Sequence, residues 1–427
     1  MNCFRESFVG KESGLLIRTL RGLALSLFLV PVVATAQDTL LQGNLPRNLP
    51  GESLEDQWPS EQWPSASPES QGINGAIFSS LDREIRTGDY GHIDRMVVIR
   101  NGFILVNERY NNDYREITRG FTGPLGCGWE ACTDESQLHQ FNYYHPDFHP
   151  YEHGRDVHSL QSVTKSVSAT MIGVALTQGL IESLDVPFVS FFGDFDLSAM
   201  DSRLAGATLD DLLTMRSGIE WHEQDRPLDE TNTTIQLELS DDWIQFTFDQ
   251  PMDADPGTKW VYNSGGSHLM SGIIKKVSGQ FLDDFAEENV FEPIGITEYH
   301  WKKTNMGYPD ALGGLYLEAE DLARIGYLYL RGGVWNGQRI LSERWVQSAT
   351  AKRVENVNRQ GYGYGYQWWR LDRDHTIIWA GLGFGGQYLL VLPEYDIVAV
   401  INSWNLYKRP NKSILNPFIG GLIRSIQ

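Results

Sequence analysis

His158-Ser159-Leu160-Gln161-Ser162-Val163-Thr164-Lys165-Ser166 opens a run, residues 160–180, in which apolar side chains recur at helical spacing. Ser159 or a neighbour can cap such a helix, and Gly179 can end it. Ser162 and Lys165 stand at i and i+3, on one helix face, so a hydroxyl and an amine become neighbours by geometry. The partial positive charge of a helix N-terminus favours a developing alkoxide on Ser162 and disfavours an added proton on Lys165. A neutral lysine can then accept the serine proton. Ser-x-x-Lys is short and recurs on helix surfaces, so its surroundings must carry the reading.

Upstream, residues 77–85 pattern as a helix, and the β-rich runs 96–99 and 103–106 flank Asn101-Gly102, the strongest short hairpin signal. Residues 115–157 are polar and aromatic without periodicity, which predicts a long loop shaping the mouth of a site. Downstream come helical stretches at 209–215, 241–248, 269–277, 283–290 and 319–330. Strand patterns follow at 376–380, 387–392 and 397–401, and 414–426 suits a closing helix. Strands at both ends with helices between them predict an α/β (α+β) domain. Its antiparallel sheet, flanked by helices, is built from the two chain ends, and a mainly helical region is inserted.

With these residues in view, the segment around Ser162 resembles the first active-site box of the β-lactamase-related serine hydrolases. That family includes class C β-lactamases, D-alanyl-D-alanine carboxypeptidases, family VIII carboxylesterases and 6-aminohexanoate-dimer hydrolases. Pro256-Gly257-Thr258-Lys259-Trp260-Val261-Tyr262-Asn263-Ser264 resembles the box that supplies the catalytic tyrosine. Leu212-Leu213-Thr214-Met215-Arg216-Ser217-Gly218, Gly313-Gly314-Leu315-Tyr316 and Asp321-Leu322-Ala323-Arg324 resemble further recurrent stretches, in the right order from about residue 68 onward. The resemblance implies Ser162 as nucleophile, Lys165 as base and Tyr262 as the carrier of a proton to the leaving group. It implies the amides of Ser162 and Phe384 as oxyanion hole, and Ser264, Gly383 and Gly385 at the substrate. Ser264 stands where the family usually has asparagine, and can orient Lys165 or the substrate. No cofactor is implied.

The third box departs from the pattern. Lactamases and carboxypeptidases place Lys-Thr-Gly or His-x-Gly on a strand beside the serine, whereas this chain reads Ala380-Gly381-Leu382-Gly383-Phe384-Gly385-Gly386-Gln387. The missing cation holds a substrate carboxylate in the family, through a contact worth roughly 1.5–3 kcal/mol. Its loss weakens such substrates by about one to two orders of magnitude. The departure resembles the esterase and amide-hydrolase branches. The small-molecule substrate expected is therefore an ester or amide. A β-lactamase or D-alanyl-D-alanine carboxypeptidase is the alternative, and a non-catalytic penicillin-binding-like envelope protein is another.

Other chemistries fit less well. The nucleophile elbow G-x-S-x-G does not occur. Gly381, Gly383 and Gly386 satisfy G-x-G-x-x-G, but they precede a strand-like run where a dinucleotide site requires a helix. His145, His149, His153 and His158, with Asp147 and Glu152, are broken up by Pro146 and Pro150, so no metal site is expected.

Residues 1–36 read as a signal peptide: Arg18 and Arg21 precede the apolar run 23–33, and Ala34-Thr35-Ala36 follows. Export, periplasmic or secreted, is expected, with no stable membrane span after cleavage. Residues 37–67 form a Pro- and Trp-containing lead-in, with Gln-Trp-Pro-Ser at 57–60 and 62–65, and the hydrolase domain is assigned to 68–427. The lead-in either packs its tryptophans on the domain or acts as a linker. The formal charge is −20, and removing four basic and two acidic residues with 1–36 leaves −22. That sign repels phosphate backbones, so nucleic acid is not an expected partner. Cys127 and Cys132 are the only cysteines left, a possible disulfide in an oxidising compartment. No pattern speaks to oligomeric state.

Overall fold

Asn101 and Gly102 both adopt positive φ, 52° and 78°, the conformation a tight two-residue hairpin requires. They join β1 (Ile93–Arg100) to β2 (Phe103–Arg109) in antiparallel register. The computed structural model describes residues 57–124, 126–149 and 154–427. Residues 1–36, expected to be a signal peptide, the first part of the lead-in, and Glu152 and His153 lie outside the described residues.

The C-terminal part supplies β3 (Gly363–Tyr364), β4 (Trp369–Arg370), β5 (Trp379–Gly383), β6 (Gln387–Leu392) and β7 (Ile397–Ser403). The seven strands order as β3-β4-β5-β6-β7-β1-β2, each pair antiparallel. The sheet is thus closed where β1 meets β7, strands from opposite ends of the chain, as the sequence predicts. β5 starts at Trp379 rather than residue 376, because Thr376 is used in a turn with Arg373.

Helices cover both faces. Phe78, Leu81 and Ile85 of α1 (Gly75–Arg86) share a core with Met96, Val98, Leu390 and Ala399 of the sheet. Phe418, Ile419 and Leu422 of the C-terminal helix Leu415–Ser425 join that core. On the other face, α2 (Val163–Thr177) runs under β5 and β6. Nearly every residue of α2 is buried, and its buried Thr164, Lys165, Ser166, Ser168 and Thr170 all find hydrogen-bond partners inside the protein. Behind α2 lies α3 (Ser264–Ser278), and α4 (Ala319–Leu330) packs on β1, β6 and β7. The inserted region between β2 and β3 is therefore mainly helical. No helix among the described residues is long and apolar enough to cross a membrane.

The described part of the lead-in packs on the domain. Trp58 and Trp63 lie against Tyr327, with ring centroids 5.6 and 5.3 Å apart. The Ile104 N–H donates to the Pro64 carbonyl (2.8 Å) and Ala66 N–H to the Ile104 carbonyl (3.2 Å), so this segment covers part of the β2 edge. Residues 115–157 are not wholly irregular: they include most of a short helix, Tyr114–Thr118, and a small hairpin of Thr122–Gly123 with Gly126–Cys127. A disulfide joins Cys127 to Cys132, Cα atoms 5.1 Å apart.

Candidate active site

α2 begins where the chain turns sharply. Gln161 is held at φ 47°, a left-handed conformation that a residue with a Cβ adopts only when its surroundings impose it. Ser162 follows at the N-cap position, yet its hydroxyl makes no capping bond. Ser159 does not cap the helix either; its Oγ accepts from Gln161 Nε2 at 2.9 Å. The expected cap is absent because the N-cap hydroxyl turns instead toward Lys165, whose Nζ lies 2.9 Å from Ser162 Oγ. Lys165 is 1% exposed, and its amine also donates to the Leu312 carbonyl at 2.8 Å.

Tyr262 precedes α3, whose N-terminus is capped by Asn263 accepting from Gly266 N–H at 2.7 Å. The stretch 212–218 holds this segment. Val261 N–H donates to the Met215 carbonyl (2.9 Å), and Gly257 N–H to the Arg216 carbonyl (2.8 Å). The Tyr262 ring stacks on Trp369, centroids 5.7 Å apart, and Lys165 Nζ sits 5.1 Å from its centroid. Burial pushes the Tyr262 phenol up; the charge on Lys165 and hydrogen bonding to Ser162 and Lys165 pull it back. Ser162 and Lys165 thus meet Tyr262, which lies 100 residues after the serine in sequence, at one place.

Of the two roles expected for Ser264, orienting Lys165 or the substrate, the first is not seen, although the residue lines the cleft. Its hydroxyl donates to Glu223 Oε1 (2.8 Å) and its N–H to Glu223 Oε2 (3.1 Å). Trp221 Nε1 donates to the same carboxylate at 3.1 Å. A carboxylate offering two oxygens outcompetes a lone amine for a short side chain at this position. Glu223, absent from the sequence reading, is therefore the anchor of this wall.

β5 passes close above the serine turn. A Cβ on Gly383 would sit 2.5 Å from the Leu160 carbonyl oxygen, and one on Gly381 would sit 2.8 Å from Val163 Cγ1. Glycine at both positions is what allows the strand this near, and position 381 has no room for a lysine or histidine unless Val163 moves. The Ser162 and Phe384 N–H groups donate to no carbonyl among the described residues, and both residues line the cleft. Gly385 is different: at φ 77° it forms the β5–β6 turn and backs onto Leu406, and it is not part of the lining.

The cleft encloses about 460 Å³. Tyr143 and Tyr144 of the long loop, Glu223, Glu238, Trp369 and Phe384 are among its walls. Glu238 ends a short helix, Thr233–Glu238, that the sequence pattern did not reveal. Its Oε2 is buried without a hydrogen-bond partner among the described residues. Burial pushes its carboxyl up to about 8, Asp310 and Glu223 add to this, and Lys165 and Lys302 oppose it. Linkage gives the sign: a carboxyl raised from 4.5 contributes stability that is present below pH 4.5 and lost as pH rises through about 8. Glu238→Gln is expected to match wild type near pH 4.5 and to exceed it by about 1–3 kcal/mol at pH 9. Thermal melts across that range check this; parallel curves for the two proteins would refute it.

The described histidines of the 145–158 set serve the structure. His149 Nε2 donates to the Tyr143 carbonyl at 2.6 Å, His145 Nδ1 accepts from Asp147 N–H, and His158 lies 3.7 Å from the Trp404 ring centroid.

An antiparallel sheet made from both chain ends, with a serine and a lysine one turn apart on the helix beneath it, defines a β-lactamase and transpeptidase-like fold. The beta-lactamase family model matches residues 148–419, and the chain belongs to that family of hydrolases. The 6-aminohexanoate-dimer hydrolase of Paenarthrobacter ureafaciens is 27% identical over 311 residues, covering 64% of this chain and 74% of that one. Similar solved structures include a family VIII carboxylesterase (13% identity, TM-score 0.59, covering 85% of this chain and 99% of that one). Another is a penicillin binding protein from Bacillus halodurans (17% identity, TM-score 0.57, covering 82% and 99%). At these identities the two structures speak for the fold.

Proposed function

We propose that this protein is an exported serine hydrolase that cleaves an ester or linear amide through an acyl-enzyme on Ser162. The observation that carries it is the 2.9 Å contact between Ser162 Oγ, whose residue lines the cleft, and the buried Lys165 amine behind it. Ser162 Oγ attacks the carbonyl carbon as its proton passes to Lys165 Nζ. The Ser162 and Phe384 amides receive the oxyanion, and Tyr262 relays the proton to the departing alcohol or amine. Water then attacks the acyl-enzyme, losing its proton to the same amine, and releases the acid. Glycine at 381 and the lack of space there favour this over recognition of a β-lactam carboxylate. The 6-aminohexanoate dimer in the name of the Paenarthrobacter relative, two amino acids joined, supports linear amides as the second substrate group to try. Export rests on the pattern of residues 1–36, and residues 68–427 are proposed as the hydrolase domain.

Short p-nitrophenyl esters, linear amides and nitrocefin, tested in parallel on the purified protein, decide it. Ester hydrolysis is expected to exceed nitrocefin turnover by at least about tenfold in kcat/KM, the discrimination that the missing cation supplies. Rapid nitrocefin turnover with weak ester hydrolysis would make it a lactamase. Acylation without product release would make it a non-turning-over binding protein.

A further inference from the structure

The Leu312 carbonyl accepts from Lys165 Nζ, and a carbonyl can only accept, so one N–H of the amine is committed there. That commitment fixes the rotation of the amino group, and hence where its lone pair points. We infer that Asp310 is a positioning residue for Lys165, holding the 310–314 turn so that the Leu312 carbonyl aims the amine at Ser162. The inference rests on the reading of Lys165 as base.

Asp310 is fully buried. Its Oδ1 accepts from Leu312 N–H at 2.9 Å and Gly313 N–H at 3.0 Å, and its Oδ2 accepts from the Tyr143 hydroxyl at 3.2 Å. Its own backbone is anchored: the N–H donates to the Lys302 carbonyl (2.8 Å), and the carbonyl accepts from Trp301 Nε1 (2.8 Å). The neighbouring Ala311 carbonyl accepts from Ser168 Oγ at 3.0 Å, so the turn is tied to α2 at residues 165 and 168, one helical turn apart. Gly313 and Gly314 follow directly, residues with the most conformational freedom to lose. Among the described residues Leu312 N–H and Gly313 N–H have Asp310 Oδ1 as their one acceptor, and the turn's remaining internal bond runs from Gly314 N–H to the Asp310 carbonyl (3.2 Å). Misplacement of about 1 Å in a reacting group costs on the order of 10²-fold in rate.

The test measures acylation by a fluorophosphonate probe and kcat and KM on a p-nitrophenyl ester, with wild type and Ser162→Ala as controls. Asp310→Ala is expected to slow acylation and kcat about 10- to 100-fold while KM stays within about twofold. Asp310→Asn, whose carboxamide oxygen still accepts both amide bonds, is expected to restore the rate to within about threefold of wild type. A folded Asp310→Ala protein that acylates at the wild-type rate overturns the inference, and so does an asparagine variant as slow as the alanine one. Should the alanine variant not fold, Asp310→Ser takes its place under the same expectations, its hydroxyl being too short to hold both amides. Wild type that goes unlabelled while folded refutes the serine-hydrolase reading itself, a result distinct from either.

Discussion

Ser162→Ala is expected to lower kcat on a p-nitrophenyl ester by about 10⁴- to 10⁶-fold, the range seen when a hydrolase nucleophile is removed. The same variant should fold and melt like wild type, within about 0.5 kcal/mol. The second half of this result is the more informative. A serine at an N-cap normally stabilises its helix, and its loss costs about 0.5–2 kcal/mol. Here the Ser162 hydroxyl makes no capping bond, and its partner is the Lys165 amine, which keeps the Leu312 carbonyl when the hydroxyl goes. A serine held for chemistry and spared from structure should therefore be lost at no structural cost. The residual rate belongs to the oxyanion amides and to binding. Measuring kcat beside a thermal melt checks both halves. Retained turnover, or a probe label on the alanine variant, would remove Ser162 from the mechanism.

The fold was legible because its signals are local. Asn101-Gly102 between two β-rich runs specified a hairpin, and the period of 319–330 matched α4 residue for residue. The serine–lysine pair was legible for the same reason, since i and i+3 on a helix are neighbours whatever the rest of the chain does. The remaining parts of the cleft depend on long-range placement. Glu223 and Glu238 come from a segment with weak periodicity, and nothing local marks Thr233–Glu238 as a helix facing Ser162. Asp310 stands three residues before the Gly313-Gly314 pair, which reads in the sequence only as a recurrent stretch, and its role appears through side chain-to-backbone bonds. The left-handed Gln161 has no signal at all, since glutamine is not a residue that favours that conformation. Ser264 divides its two expected roles: Glu223, 41 residues earlier in the chain, takes the hydroxyl in place of Lys165, while the residue still lines the cleft where substrate is expected.

Lys165 offers the second large effect, and two substitutions together separate its possible roles. Lys165→Met fills the volume of the side chain without an amine and is expected to slow acylation by about 10²- to 10⁴-fold, the usual contribution of a general base. It leaves the Leu312 carbonyl buried without a donor, which costs about 1–3 kcal/mol of stability. Lys165→Arg keeps a positive charge and a donor for that carbonyl, but a guanidinium does not give up its proton at any ordinary pH. If the amine acts by taking the Ser162 proton, arginine is as slow as methionine. If it acts by charge alone, steadying an alkoxide formed in some other way, arginine recovers much of the rate. The site itself predicts the first outcome. Nζ is 1% exposed and lies 2.9 Å from Ser162 Oγ, near enough to take its proton directly, whereas a guanidinium in its place offers no proton-accepting atom. Stopped-flow acylation of the two variants, normalised to folded protein by near-ultraviolet circular dichroism, decides between them; an arginine variant within tenfold of wild type would end the case for lysine as the base.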